Sequence, residues 1–180
     1  MAETDPERTS VRSAREADLD AISRISVAAY ERAGQLEPGS AYRAVLADAD
    51  GRYRNATLLV AQRGEQVVGT VTICPGGSPY AEIGRENEVE FRFLAVDPDH
   101  WGAGVADCLI AACEDQARRI GAQALTICVR DNNTGAAAMY AARGFVRVPE
   151  RDWSPLPGVD LMALTRVVPS DVPGPAVSRG

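Results

Sequence analysis

The chain has 180 residues and a formal net charge of −6, with 46% hydrophobic and 24% charged residues, ordinary values for one globular domain long enough to bury a core. Its 19 basic residues, all of them arginine, are scattered without a basic stripe, which argues against nucleic-acid binding. Four cysteines without a Cys-x-x-Cys pair and a single histidine, His100, argue against a zinc site, so no metal is expected.

The first residues carry neither a signal-peptide core nor a lipidation motif, and no apolar run approaches the ~20 residues that cross a bilayer. The expectation is a soluble, cytoplasmic protein with reduced thiols and no membrane contact. Cys108, Cys113 and Cys128 lie in apolar segments and read as small core residues.

Residues 1–9 are polar and expected to fray. Val11-Arg12 begins a short strand, Ser13 to Glu16 has capping-box spacing, and Leu19, Ile22, Ile25 and Ala29 form one face of a helix ending near Tyr30. Gly34 and Pro38-Gly39 break it, and a second helix is expected from Tyr42 to Asp50, stopped by Gly51. Two β-branched runs, Thr57–Gln62 and Gln66–Ile73, flank Arg63-Gly64-Glu65 and predict a hairpin. The following loop, from Pro75 to about Asn87, is long enough to be functional or mobile.

Glu88 to Val96 alternates as a strand, with Val89, Phe91, Phe93 and Ala95 on one face and Glu88, Glu90 and Arg92 on the other; Pro98 ends it. The turn Gly102-Ala103-Gly104-Val105-Ala106 then opens a helix whose Val105, Leu109, Ala112, Cys113 and Ile120 recur at helical spacing up to Gly121. Free N–H groups at a helix start, unobstructed by bulky side chains, suit a phosphate, and the helix dipole favours its charge. The turn lacks a P-loop lysine and the three-glycine dinucleotide spacing.

Ala124–Val129 is a further strand, so strand, helix and strand predict a right-handed crossover between roughly parallel neighbours. Asn132-Asn133-Thr134 caps a short helix, Ala136–Arg143, stopped by Gly144. Phe145–Val148 and Leu161–Thr165 read as a last antiparallel pair joined by a loop holding Trp153. The folded domain is expected over 10–167, with a disordered Pro/Gly-rich tail at 168–180.

Phe93-Leu-Ala-Val-Asp-Pro, the turn Gly102-x-Gly104-x-Ala106, and Asn133-x-x-Ala136-x-x-x-Tyr140-x-x-x-Gly144-Phe145 together resemble the GCN5-related N-acetyltransferase (GNAT) superfamily over roughly residues 10–167. The resemblance implies an α/β (α+β) fold: a mixed, mostly antiparallel sheet of six to seven strands, about four helices, and splayed strands four and five. It also implies acetyl-CoA as co-substrate. Main-chain groups of Leu94, Ala95 and Val96 would pair with the pantetheine, a Val96 N–H would stabilise the thioester oxyanion, amides of Gly102, Ala103, Gly104, Val105 and Ala106 would hold the pyrophosphate, and Asn133 and Ala136 would line the far wall. The family usually carries Arg or Gln where Asp99 and Trp101 stand here; Trp101 is expected to cover the phosphate loop or pack on the surface.

An ammonium must lose a proton before it attacks a thioester, and the thiolate that leaves must gain one. By the same resemblance Glu90 is the base and Tyr140 the acid. The alternative for Glu90 is a solvated strand face paired with Arg92, and for Tyr140 an amphipathic packing role. Cys74 and Cys128 lack a histidine partner for an acyl-enzyme route. His100 is expected to be an exposed turn residue, and Tyr80 and Trp153 either wall the amine pocket or anchor loops. The function implied is acetyl transfer from acetyl-CoA to a primary amine, on a small molecule, peptide or protein, by direct attack in a ternary complex. A catalytically weak CoA-binding or sensor module is the alternative, and a homodimer is compatible with either.

Overall fold

A computed structural model of the chain describes residues 8–169. The expected frayed start and disordered tail lie almost wholly outside the described residues. Thr9 already belongs to the first strand, and Val168 is buried with its N–H on the Gln123 carbonyl.

The elements are β1 (Thr9–Ser13), α1 (Leu19–Arg32), α2 (Tyr42–Ala47), α3 (Ala49–Asn55), β2 (Thr57–Arg63), β3 (Gln66–Pro75), β4 (Glu88–Val96), α4 (Val105–Arg119), β5 (Ala124–Arg130), α5 (Thr134–Ala141), β6 (Val146–Arg147), β7 (Trp153–Leu156) and β8 (Val159–Val167). One sheet runs β1-β2-β3-β4-β5-β8-β6, with β7 paired to β8. Every pairing is antiparallel except β4 with β5, which is parallel, as the strand, helix and strand succession predicts.

The expected α/β (α+β) architecture holds, with eight strands and five α-helices among the described residues in place of six to seven and about four. The added strand, β7, contains Pro155 and meets β8 only at Trp153 with Leu161 and Leu156 with Val159, so its sequence looks like a loop. The added helix arises because Asp48, at ψ 66°, divides 42–55. Its carboxylate accepts the Gly51 N–H at 2.9 Å, and a Cβ at Gly51 would lie 2.3 Å from Asp48 Oδ2. Gly51 therefore clears a cap inside α3 and does not stop α2. Ser13 is likewise no cap, since it ends β1. The 3₁₀ turn Glu16–Asp18 leads into α1, with Asp18 Oδ2 accepting the Arg15 N–H at 2.7 Å and pairing with Arg12 at 2.7 Å.

The sheet is covered on both faces. Leu109, Cys113 and Ala117 of α4 pack with Val71, Val89, Phe91 and Leu125 on one side; Ile22, Ile25 and Ala29 of α1 pack with Val60, Val67 and Ala95 on the other. A central strand buried on both faces has no polar face to fix its side-chain alternation, and here the alternation breaks. Thr72 pairs with Arg92 and Thr70 with Ala95, so one β3 residue faces two on β4, Phe93 and Leu94. This β-bulge corrects the expected single face. Val89 and Phe91 point to α4, whereas Phe93 joins Leu36 and Leu46, and Ala95 joins the α1 cluster.

Phe93 sits at φ 53°, which for a bulky residue costs on the order of 1–3 kcal/mol. Its ring is 5% exposed, and the guanidinium carbons of Arg52 and Arg92 each lie 4.8 Å from its centroid, contacts that offset the strain. A bulge bends its strand. That bend falls just where β4 leaves β5.

Candidate active site

Parallel pairing of β4 with β5 covers only Glu88 with Ala124, Val89 with Leu125 and Glu90 with Thr126. Beyond Glu90 the strands part. The gap opens into a cleft of about 1230 Å³ lined on the β4 side by Leu94, Ala95 and Val96 and on the β5 side by Ile127 through Arg130.

Main-chain direction along β4 decides what the gap offers. The Asp97 N–H donates to the Val68 carbonyl of β3 at 2.8 Å, so the Val96 carbonyl, on the other side of that peptide, faces the gap. Ala95 is different: its carbonyl turns to β3, 3.2 Å from where a Cβ of Gly69 would stand. Of the three residues whose main chain is expected to pair with the pantetheine, Ala95 thus turns its carbonyl away from the gap and lines the cleft wall. The Val96 carbonyl already accepts the indole N–H of Trp101 at 2.9 Å, while the Trp101 ring is 48% exposed at the cleft rim. Trp101 therefore covers the strand edge.

At the far end, Gly102 and Gly104 take φ 78° and 76°, and a Cβ at either would meet nothing within 4 Å. Only glycine adopts that conformation without strain. Gly104 precedes α4, whose first N–H groups have no intrahelical partner, and Gly102, Gly104, Val105 and Ala106 all line the cleft. Ala103 departs from the expected set: its N–H bends back to the His100 carbonyl at 3.3 Å, and it is absent from the lining. Across the cleft Asn133 caps α5, its Oδ1 accepting the Ala136 N–H at 3.1 Å, and both residues line the cleft wall. Arg143, which the motifs did not single out, lines the same end and pairs with Asp107 of the first turn of α4 at 2.6 Å. It reaches the cleft because α5 lies across from α4, a neighbourhood that no sequence spacing records.

Tyr140 lines the cleft from α5, its ring tilted against Phe91 and Phe145 at centroid separations of 5.9 and 5.4 Å. It is 4% exposed, and among the described residues its hydroxyl has no hydrogen-bond partner. Burial pushes the phenol well above its ordinary range, so it stays protonated and able to donate.

Glu90 is placed otherwise than expected. It is fully buried, it is not among the cleft-lining residues, and its Oε2 accepts three N–H groups, from Glu82 at 2.7 Å, Ile83 at 2.9 Å and Gly84 at 3.0 Å. Its other oxygen lies 3.9 Å from Arg92 Nε. The carboxylate thus pins the 82–84 segment against β4. With the Gly76 N–H on the Glu88 carbonyl at 2.9 Å, it ties down the loop read as functional or mobile.

Glu37, Glu82 and Asp107 line the cleft in its place, and of these Glu82, in the segment that Glu90 holds, lies 2.7 Å from Arg92 Nη2. Burial raises its pKa, and the Arg92 charge offsets this only in part. Nothing in the loop's sequence marks Glu82, since it has neither periodicity nor motif. Cys74 and Cys128 are free thiols pushed up to about 12 by burial, hence poor nucleophiles near neutrality. Tyr80 and Trp153 do not line the cleft, although His100 does. Tyr80 packs with Leu36, Leu46 and Phe93. Among the described residues no cluster of three potential metal ligands occurs, and no helix is long and apolar enough to cross a membrane.

Residues 19–145 match the model of the acetyltransferase (GNAT) family. N-acetyltransferase 8B of Rattus norvegicus is 31% identical over 121 residues, 65% of this chain and 53% of that protein, so the chain spans about half the length of this curated relative. Among solved structures, the ribosomal-protein-S18-alanine N-acetyltransferase of Escherichia coli superposes with a TM-score of 0.67 at 19% identity, covering 93% of this chain and 97% of that one. The PaiA N-acetyltransferase of Thermoplasma acidophilum, in complex with coenzyme A, gives 0.69 at 13% identity, covering 87% and 98%.

Proposed function

Since the chain belongs to the acetyltransferase (GNAT) family, we propose that it is an acetyl-CoA-dependent N-acetyltransferase acting on a primary amine by direct attack in a ternary complex. The observation that carries this reading is the parting of β4 from β5 after Glu90, which leaves an unpaired strand edge leading to the open glycine turn before α4. The Thermoplasma neighbour, alike in fold, holds coenzyme A.

In this reading the pantetheine enters the gap beside Leu94 and Val96, and main-chain N–H groups of that edge polarise the thioester carbonyl, a type of contribution often worth about 3 kcal/mol. The amides of Gly102, Gly104, Val105 and Ala106 receive the pyrophosphate, with the α4 dipole in its favour. Arg143, its charge already paired with Asp107, adds guanidinium N–H donors at that end, where Trp101 and Asp99 offer none. Asn133 and Ala136 form the opposite wall.

The acceptor amine loses its proton to Glu82, directly or through water, and attacks the thioester carbon. The tetrahedral intermediate collapses as the C–S bond breaks, Tyr140 donating its proton to the departing sulfur and regaining one from the attacking nitrogen, which sheds its second proton to leave a neutral amide. Glu90, which sequence reading offers as base, holds the Glu82 segment in place. Calorimetry with acetyl-CoA, followed by thiol release over an amine panel, tests this reading: binding with amine-dependent release supports it, and binding without release under any amine points to a sensor module.

A further inference from the structure

Three arginines line the cleft, and two of them are neutralised. Arg92 pairs with Glu82 at 2.7 Å and Arg143 with Asp107 at 2.6 Å. Arg130, the last residue of β5, has no carboxylate within 4.0 Å among the described residues. Among the described residues its side chain makes one hydrogen bond, from Nη1 to the Gln35 carbonyl at 3.3 Å, which ties the end of β5 to the segment after α1. Its Nε is buried without a partner, and so is the Gln35 side-chain oxygen, on a residue that also lines the cleft.

A buried donor and a buried acceptor left unpaired each forfeit their hydration without a compensating bond, and native proteins seldom leave two together without a use. Leu125, Ile127 and Val129 of β5 pack on the α4 side. Alternation therefore puts Arg130 with Thr126 and Cys128 on the α1 side, the side of Phe93 and Arg92 and away from the glycine turn. The unspent charge thus lies on the wall opposite to the phosphate groups of the co-substrate.

We infer that the acceptor is an amine bearing a carboxylate, of amino-acid type, with the carboxylate held by the guanidinium of Arg130. A guanidinium presents several donors in one plane and suits a carboxylate. One unpaired cation, with Glu37 at the same rim, matches a single negative charge better than a dianionic phosphate. This inference rests on the acetyltransferase reading above and names the substrate class for the same site.

The test uses the full chain with saturating acetyl-CoA and thiol release as readout. Acceptors are the common amino acids, their carboxamides and the corresponding decarboxylated amines. For the best acid, kcat/KM should exceed that of its amide and its amine by at least about tenfold, as expected when a buried charged hydrogen bond is lost. Arg130→Gln should bring that ratio close to one through acceptor KM, while KM for acetyl-CoA stays within about twofold, and Arg130→Lys should restore part of the preference. Melting curves and acetyl-CoA calorimetry on both variants show whether the Gln35 tie is only structural, in which case acid and amide suffer alike. The inference is overturned if amides or plain amines are preferred, if no acid turns over, or if Arg130→Gln leaves the acid preference intact. Absence of acetyl-CoA binding in the unmodified chain would instead remove the acetyltransferase reading itself.

Discussion

The two ends of the cleft are made of different materials. The end assigned to the co-substrate is mostly backbone: the Val96 edge, the Gly102–Ala106 turn and the start of α4. The acceptor end is mostly side chain, with Glu82 and Arg92 from the β3–β4 region, Arg130 from β5 and Gln35 from the segment after α1. A backbone site needs small residues at fixed spacing so that a ligand can approach, and such spacing is visible in a sequence. A side-chain site drawn from separate segments requires only that the fold bring them together.

The comparison breaks most readily at Tyr140, where the two ends meet. Tyr140→Phe keeps the ring packing against Phe91 and Phe145 and removes the one proton that the leaving sulfur would take. It should lower kcat by at least about tenfold with little change in either KM, as measured by steady-state thiol release. An unchanged kcat would leave Tyr140 as packing alone.

A backbone site should be most sensitive where its conformation is glycine-only. Gly104→Ala has space for its Cβ, since nothing lies within 4 Å, but at φ 76° it is strained by about 1–2 kcal/mol. Relief of that strain turns the first amides of α4 away from the phosphate. KM for acetyl-CoA should rise about five- to tenfold while acceptor KM holds, and if both rise together the turn serves the fold and not the ligand.

These two positions also show why the site was only half legible. The glycine turn, Asn133 and Tyr140 stand at family spacing, and each lines the cleft. Glu90 stands at family spacing as well, yet the alternation that aims it outward takes no account of the 82–84 amides that enclose it. The bulge at Phe93 was invisible for a related reason. With apolar residues required on both faces of β4, a register break leaves the hydrophobic pattern unaltered. Trp153–Leu156 and the split at Asp48 were missed because tertiary pairing and a single cap override what Pro155 and Gly51 ordinarily signal.

Glu82 and Glu90 sharpen the acceptor side through pH. A base works only when ionised, so with a pKa raised by burial Glu82 should lose activity as pH falls through that raised value, and kcat/KM should show an acid limb there. Glu82→Gln should remove that limb and lower the plateau. Glu90→Gln should keep the shape of the profile but loosen 82–84, costing about 1–3 kcal/mol of stability in denaturant melts. Should Glu90→Gln erase the limb and Glu82→Gln preserve it, the base is Glu90, as its spacing alone suggests.

The smallest expected effect concerns Trp101, the point at which a side chain intrudes on the backbone end. Its indole N–H holds the Val96 carbonyl that a pantetheine amide would share, and a carbonyl with two lone pairs tolerates both only if the geometry allows. Trp101→Phe keeps an aromatic cover and frees the carbonyl. For a neutral bond at a half-exposed site KM for acetyl-CoA should fall by no more than about threefold. Trp101→Ala also removes the cover and should raise KM instead. If Phe and Ala both raise KM equally, the indole N–H itself touches the co-substrate, and Trp101 takes the role that an arginine or glutamine serves elsewhere in the family.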